Sequence, residues 1–172
     1  MFLIDALRTL GASYAFYFSS LLCFSLSLPI AAARSYQVLY GKTLNKSALI
    51  AAEILVELLR IVQYLLFIAY GTDTPFRSLF SADAWEAIFG GIRKLEGATL
   101  LWDLLGFMIV FGLYNAVLFA ILRPSVVQKM TDRAGIGRFA VSAVRNAVML
   151  AYKNLFLIPV SMIYLFLILN MM

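Results

Sequence analysis

The sequence predicts an all-α integral membrane protein, a bundle of four transmembrane helices with an interfacial amphipathic helix between the second and third helices. Of its 172 residues, 63% are hydrophobic and only 13% are charged, against about 45–50% and about 25% in an ordinary soluble domain. So few charges cannot coat a soluble globule of this size. Four apolar stretches reach the length of about 20 residues that a membrane-crossing helix needs. We therefore treat residues 1–172 as a single transmembrane domain.

The four predicted spans are bounded by turn residues and charges. Pro124 follows the third span, and Gly135 and Gly137 precede the fourth, where such residues are typical of helix ends. The fourth span is long and contains Pro159, so we expect it to be kinked, tilted or preceded by a cytoplasmic turn. The predicted spans cover residues 11–33, 47–70, 99–122 and 141–169.

The first span resembles a secretory signal, because Leu28 to Ala33 reads like a small-residue cleavage site. The apolar stretch is long for a signal peptide, and the flank after it is more basic than the flank before it, so we expect the span to be retained. Its heptad-spaced serines predict a face that packs against another helix, with a hydroxyl-lined pore as the alternative. These serines are Ser13, Ser20 and Ser27. Cys23 is expected to be a small buried apolar side chain.

An amphipathic helix is predicted over residues 83–95, in the loop between the second and third spans. Its apolar side chains recur at helical spacing and would anchor it in the interface; a lid over a cavity or a docking face for a partner are the alternatives. These anchors are Trp85, Ile88, Phe89 and Ile92. Asp83 and Glu86 have the three-residue spacing of a capping box. A second short helix is predicted over residues 124–134, starting at a proline and stopping before Gly135.

The distribution of basic residues predicts the orientation. Loop 34–46 contains three bases and no acid, loop 123–140 contains four bases and one acid, and segment 71–98 has no basic excess. The two basic loops are therefore expected in the cytoplasm, with both termini extracytoplasmic. We expect the membrane to be the bacterial cytoplasmic (inner) membrane.

Six ionisable residues fall within the predicted spans, where each is costly and therefore a functional hypothesis. Counting helix rise from the predicted ends pairs them by depth as Glu53 with Arg145, Glu57 with Lys153, and Arg60 with Asp103. One interpretation is that these pairs fix the register of the bundle. A second is that Glu57 and Lys153 couple proton or ion movement near the midplane. A third is that some of the charges meet another protein chain.

Small residues repeat every four positions in two of the spans and predict close helix approach, either within the chain or between subunits. Ala48 and Ala52 form this pattern in the second span. In the third span the pattern consists of Gly112, Ala116 and Ala120.

The scarcity of histidine and cysteine argues against several kinds of metal site and catalytic site. The chain has no histidine and a single cysteine, which argues against haem ligation by imidazole, zinc sites, iron–sulfur clusters and His-based nucleophilic dyads. We expect no cofactor, no bound metal and no nucleic acid, since the net charge of +5 is divided among separate loops. The expected partners are the lipid bilayer and other membrane subunits or further copies of the chain.

Two functions remain after these exclusions. The first is a non-catalytic accessory or scaffold subunit of a larger membrane complex, of the transport or secretion type. The alternative is a small oligomeric transporter or channel that uses Glu57 and Lys153. An intramembrane enzyme with Glu53, Glu57 or Asp103 as acid or base has little support, because no nucleophile or metal constellation accompanies these carboxylates.

Overall fold

The computed structural model describes residues 2–172, and these are helical over most of their length, with no strand among them. Eight α-helices are joined by short turns, one 3-10 helix (Phe76–Phe80) and one π-helical turn (Lys153–Leu157). The α-helices are α1 (Phe2–Ser19), α2 (Leu21–Tyr40), α3 (Lys46–Gly71), α4 (Ala82–Ile92), α5 (Gly97–Ile121), α6 (Pro124–Arg133), α7 (Val141–Tyr152) and α8 (Ile158–Ile168).

Two of these helical segments are long and apolar enough to cross a membrane, within the part of the chain that the structure describes. They are α5 and the continuous run Val141–Ile168, which joins α7 to α8 through the π-helical turn. The bent pair α1 and α2 would make a third if it counts as one span. Helix α3 is long enough, but it carries Glu53, Glu57 and Arg60 within two turns. Two or three segments are therefore long and apolar enough to span a membrane, and the four predicted spans are not confirmed.

The predicted span over residues 11–33 is not one continuous helix, because the chain breaks at Ser20 and α1 and α2 meet at 89°. The break coincides with a Ser–Ser pair. The Ser19 hydroxyl donates a hydrogen bond to the Phe16 carbonyl oxygen at 2.8 Å, and Ser20 leaves helical geometry with ψ 75°. Serine side chains that bond to the preceding turn in this way compete with the backbone ladder and bend helices. Ser13 and Ser27 are both fully buried, but they lie on two differently directed helices.

The long segment Val141–Ile168 is the centre of the packing. Helix α2 runs antiparallel to its first half, where the Ser35 hydroxyl donates to the Ala147 carbonyl oxygen at 3.1 Å. Helix α1 packs against its second half and against α5. Gly106 on α5 allows this approach, because a Cβ there would lie 2.8 Å from the Cβ of Ala6. The Tyr164 ring packs edge-on against Phe111 at 5.6 Å.

The two basic loops lie at one end of the molecule. Tyr40, at the end of α2, accepts a hydrogen bond at 2.9 Å from the Arg138 guanidinium, just before α7. We call this the α6 end. At the opposite end, a Cβ on Gly91 of α4 would collide with the Asn170 carbonyl oxygen, and Gly71 lies against Met172. Segment 71–98 and the C-terminal residues therefore share the other end, which we call the α4 end.

Helix α4 lies where the interfacial helix was predicted, but it begins at Ala82. Its N-cap residue is Ser81, with no side-chain capping bond, so the predicted capping box of Asp83 and Glu86 is wrong. The start falls two residues earlier than the capping pattern requires, since an N-cap at Asp83 would place the first helical residue at 84. The Trp85 indole N–H donates to the Leu79 carbonyl oxygen at 2.7 Å.

The predicted anchors of α4 are divided between its two sides. Trp85 and Ile92 are partly buried and Ile88 is buried against the main apolar core, whereas Phe89 is exposed and stacks on Trp85. The second predicted short helix is present as α6, which starts at Pro124 and is followed by Gly135 at φ +66°.

Candidate functional site

A row of charged and polar side chains connects α2, α3 and the π-helical turn. The Arg34 guanidinium bonds the Glu53 carboxylate through Nη1 and the Glu57 Oε1 atom through Nη2 at 2.7 Å. The same Glu57 oxygen accepts from Arg60 Nη1 at 3.1 Å, and Arg60 Nη2 donates to Asn154 Oδ1 at 2.6 Å. We call Glu53, Arg34, Glu57, Arg60 and Asn154 the charge ladder.

The ladder forms because α2 and α3 pack side by side and antiparallel. Glu53, Glu57 and Arg60 share one stripe of α3, beside the buried residue Val56. Arg34, which the sequence placed in a loop, lies instead inside α2, because that helix continues to Tyr40.

The two acids and two bases of the ladder balance in charge, but they differ in exposure. The guanidinium side chains of Arg34 and Arg60 are 18% and 19% exposed, whereas the carboxylate side chains of Glu53 and Glu57 are 52% and 48% exposed. The bases therefore lie against the bundle and the acids lie at its surface. Because Glu57 accepts from both arginines, its carboxylate can move between two partners while remaining paired.

The three pairs predicted from depth do not form among residues 2–172. Glu53 binds Arg34 instead of Arg145, and Glu57 binds Arg34 and Arg60 instead of Lys153. The Arg145 Nε donates to the Leu122 carbonyl oxygen at 2.7 Å. Depth is one coordinate only, and the direction in which each side chain leaves its helix decides which charges meet.

Asp103, the predicted partner of Arg60, lies at the α4 end. It lines an open cleft between α1, α5 and the end of α8, together with Arg8, Thr9 and Thr99. Arg8 itself lies 3.8 Å from Asp5 in an exposed pair. The cleft is polar on one side and open to the surroundings.

A buried hydrogen-bonded cluster lies next to the ladder, and most of its members were not predicted from the sequence. Gln63, only 2% exposed, donates through Nε2 to the Cys23 carbonyl oxygen at 2.8 Å and to the Ser27 hydroxyl at 2.6 Å. The Tyr17 hydroxyl lies 2.6 Å from both the Ser27 hydroxyl and the Leu155 carbonyl oxygen. A carbonyl only accepts, so Tyr17 donates its single proton to Leu155 and accepts from Ser27.

Pro159 explains why the Leu155 carbonyl needs this partner. In an α-helix that oxygen would accept from the N–H four residues later, and Pro159 has no N–H. The π-helical turn (Lys153–Leu157) lies at the same place. The Tyr17 hydroxyl replaces the missing donor. An isolated glutamine within an apolar helix was the feature that could have revealed this cluster, because such amides bond across helices.

Three tyrosines form a second polar contact between α1, α5 and α7. The Tyr14 hydroxyl donates to the Tyr114 hydroxyl, which lies 2.8 Å from the Tyr152 hydroxyl. Each ring leaves its own helix and meets the others at the three-helix junction. Nothing in the sequence spacing brings these positions together, and they were not predicted.

The small-residue patterns lie at the surface of the chain. Ala48 and Ala52 of α3 line an open apolar groove with Ala32 and Ala33 of α2. On α5, the Gly112, Ala116 and Ala120 positions are exposed. A Cβ at Gly112 would meet no atom within 4 Å. The close internal contact of α5 is made instead at Gly106, which was not predicted.

Comparison with protein-family models, with curated proteins and with solved structures gave no match. Among residues 2–172, no group of three or more Asp, Glu or Cys side chains is arranged to hold a metal ion. The charge ladder, the buried cluster and the exposed small-residue face are therefore the features from which a function is argued.

Proposed function

We propose that the protein is a non-catalytic accessory or scaffold subunit of a larger membrane complex, and that the stripe of α3 bearing Glu53 and Glu57 faces a second polypeptide. The observation that carries this proposal is the half-exposed position of both carboxylates within a long, largely apolar helix. A charge that faces hydrocarbon costs about 2.5–3.5 kcal/mol on insertion scales. A protein partner that covers the stripe removes this cost.

The side chains around the carboxylates support a protein neighbour. Ile50, Ile54 and Ile61 flank the acidic stripe on α3 and are each more than half exposed. Together they form an apolar surface beside the two paired charges. Protein interfaces commonly combine exposed apolar side chains with a few polar contacts.

The exposed face of α5 offers a second contact for a helix. Its Gly112, Ala116 and Ala120 positions allow close backbone approach. Large exposed side chains border them, including Leu113, which is 63% exposed. Because a Cβ at Gly112 would meet no atom of residues 2–172 within 4 Å, we assign this face to a neighbouring helix of the complex.

The proposal includes the finer topology. The bent pair α1–α2, α3, α5 and the segment Val141–Ile168 are the four spans, with the α6 end in the cytoplasm and both termini outside. The excess of Lys and Arg at the α6 end supports this orientation. The bacterial inner membrane stays part of the proposal.

A small oligomeric transporter or channel is the second candidate. It is favoured by one observation, the Glu57 carboxylate that is shared between Arg34 and Arg60, since a shared acid can exchange partners during proton movement. The original pairing with Lys153 has no support in the geometry, because Glu57 binds the two arginines.

Site-directed photocrosslinking in the native membrane tests the subunit proposal. A photoreactive benzoylphenylalanine at Ile54, beside the ladder, is expected to give a discrete adduct with another polypeptide. The matched control is the same residue at Leu21, which is 74% exposed and is the first residue of α2. Equal labelling at both positions, or lipid adducts alone at Ile54, contradicts the proposal.

Reconstitution tests the second candidate separately. The purified chain in liposomes should conduct protons or ions if it is a transporter, and the flux should fall in Glu57→Gln. If there is no flux, or if Glu57→Gln leaves the flux unchanged, the transporter or channel is excluded. The crosslinking result then decides whether the protein is an accessory subunit.

A further inference from the structure

Two cations converge on one aromatic ring near the α6 end. The Arg145 Cζ lies 5.6 Å and the Lys153 Nζ lies 5.5 Å from the centroid of the Phe119 ring. The two residues are eight positions apart on one helical segment, and their charged heads reach the same residue of α5. Long basic side chains bend along a helix in this way to bring their charge toward the membrane surface.

Neither cation has a carboxylate partner. Arg34 and Arg60 are paired with acids, whereas no Asp or Glu oxygen among residues 2–172 lies within 4.0 Å of Arg145 or Lys153. Arg145 uses its Nε to bond the Leu122 carbonyl oxygen, and its other guanidinium hydrogens have no acceptor within the described chain. An aromatic ring attracts both cations without neutralising them. The site thus carries two positive charges in excess.

The site lies near the end of α5 that leads into the second basic loop. Phe119 lies two residues before Ile121, the last residue of α5, so the ring is within about 5 Å of the helix end at about 1.5 Å of rise per residue. The ring is 46% exposed and opens outward from the bundle. Arg123 follows directly and is exposed, which adds a third cation at the same level.

We propose that Arg145 and Lys153 bind the phosphate diester of an anionic phospholipid at the α6 end of the contact between α5 and α7. The guanidinium offers a fork of N–H donors to the phosphate oxygens, and the ammonium adds a point charge. Basic sites between transmembrane helices at this depth are suited to acidic headgroups. The lipid supplies the negative charge that the chain lacks.

Lipid selectivity measured by electron paramagnetic resonance tests the site. The full chain is reconstituted in phosphatidylcholine vesicles with a trace of spin-labelled phosphatidylglycerol or spin-labelled phosphatidylcholine, and the motionally restricted fraction of each label is compared. We expect a several-fold preference for phosphatidylglycerol. The double variant Arg145→Gln/Lys153→Gln should lose it, and the charge-retaining Arg145→Lys/Lys153→Arg should keep most of it.

Two controls separate lipid binding from other causes. Arg8→Gln removes a base at the α4 end and should leave the preference unchanged. Soluble glycerol phosphate should not compete with the labelled lipid, because the site takes a headgroup presented by the bilayer. Circular dichroism checks the helix content of each variant, and Lys153→Gln alone should show a partial loss if the double variant does not fold.

The proposal is overturned if the double variant keeps the full preference or if Arg8→Gln removes as much of it. It is also overturned if glycerol phosphate displaces the labelled lipid as effectively as unlabelled phosphatidylglycerol does, or if Lys153 crosslinks to a carboxylate of a partner chain. Loss of preference confined to the variants that remove charge at Arg145 and Lys153 supports it.

Discussion

Replacing Tyr17 by phenylalanine tests the physical account of the helix around Pro159. Tyr17 is fully buried, and its hydroxyl is the donor to the Leu155 carbonyl oxygen, 2.6 Å away. Because Pro159 has no N–H, the backbone donor that an α-helix would supply to this oxygen is missing. A buried acceptor left without a partner costs about 1–3 kcal/mol. We therefore expect Tyr17→Phe to lower the free energy of unfolding by about 1–3 kcal/mol.

Reversible unfolding by SDS from mixed micelles, followed by circular dichroism, measures this change. Tyr36→Phe is the matched control, because Tyr36 is 51% exposed, and it should change the free energy by less than about 0.5 kcal/mol. In the Pro159→Ala background, the restored N–H should reduce the cost of Tyr17→Phe. The reasoning is refuted if Tyr17→Phe costs no more than Tyr36→Phe, or if its cost is the same with and without Pro159.

Two further predictions address the charge ladder and the two faces of α5. Glu57→Gln removes the negative charge of the acceptor shared by Arg34 and Arg60. It should destabilise the chain in micelles by at most about 1 kcal/mol, since the carboxylate is half exposed. SDS unfolding measures this change, and a larger loss would contradict the assignment of Glu57 to the surface. Gly106→Ala should lower the free energy of unfolding by about 1–3 kcal/mol, because its Cβ enters the contact of α5 with α1. Gly112→Leu should change the free energy of unfolding of the isolated chain by less than about 0.5 kcal/mol. It should, however, reduce the amount of the complex that is recovered. Equal effects of the two glycine variants on the isolated chain would contradict the assignment of the internal and external faces.

The membrane class and the adjacency of the two basic loops were predictable because both follow from properties summed over many residues. Composition indicates largely apolar surroundings, with which the two or three apolar candidate spans are consistent. The order of the charged segments along the chain predicts that they alternate between the two ends of the molecule. The contact of Tyr40 with Arg138 confirms that the loops at 34–46 and 123–140 lie together. Which side of the membrane this end faces stays a prediction.

The break at Ser20 and the partners of the charges were not predictable from spacing. The apolar run is continuous through Ser20, and the bend depends on a local serine bond and on the packing of α1 and α2 against different halves of one long segment. Arg34 was assigned to a loop because the apolar stretch ends there, although the helix continues. Matching charges by depth takes no account of the direction in which each side chain leaves its helix. That direction places Arg34 next to Glu53 and Glu57.

The surface role of the small residues illustrates the same difference. Gly106 and Gly112 are both on α5 and look alike in the sequence, yet only Gly106 meets another part of the chain. A four-residue repeat shows that a helix can approach closely, but it does not show which helix. The structure assigns Gly106 to α1 and leaves the face of Gly112 open.

The mass of the native particle tests the central claim most directly. A tagged chain is expressed at its natural level, extracted in a mild detergent and measured by native mass spectrometry. It should carry at least one further polypeptide in a fixed stoichiometry. Reversing the charges of both Glu53 and Glu57 should release that polypeptide. A monodisperse single chain that holds only lipid, with the acidic stripe of α3 intact, would contradict the account.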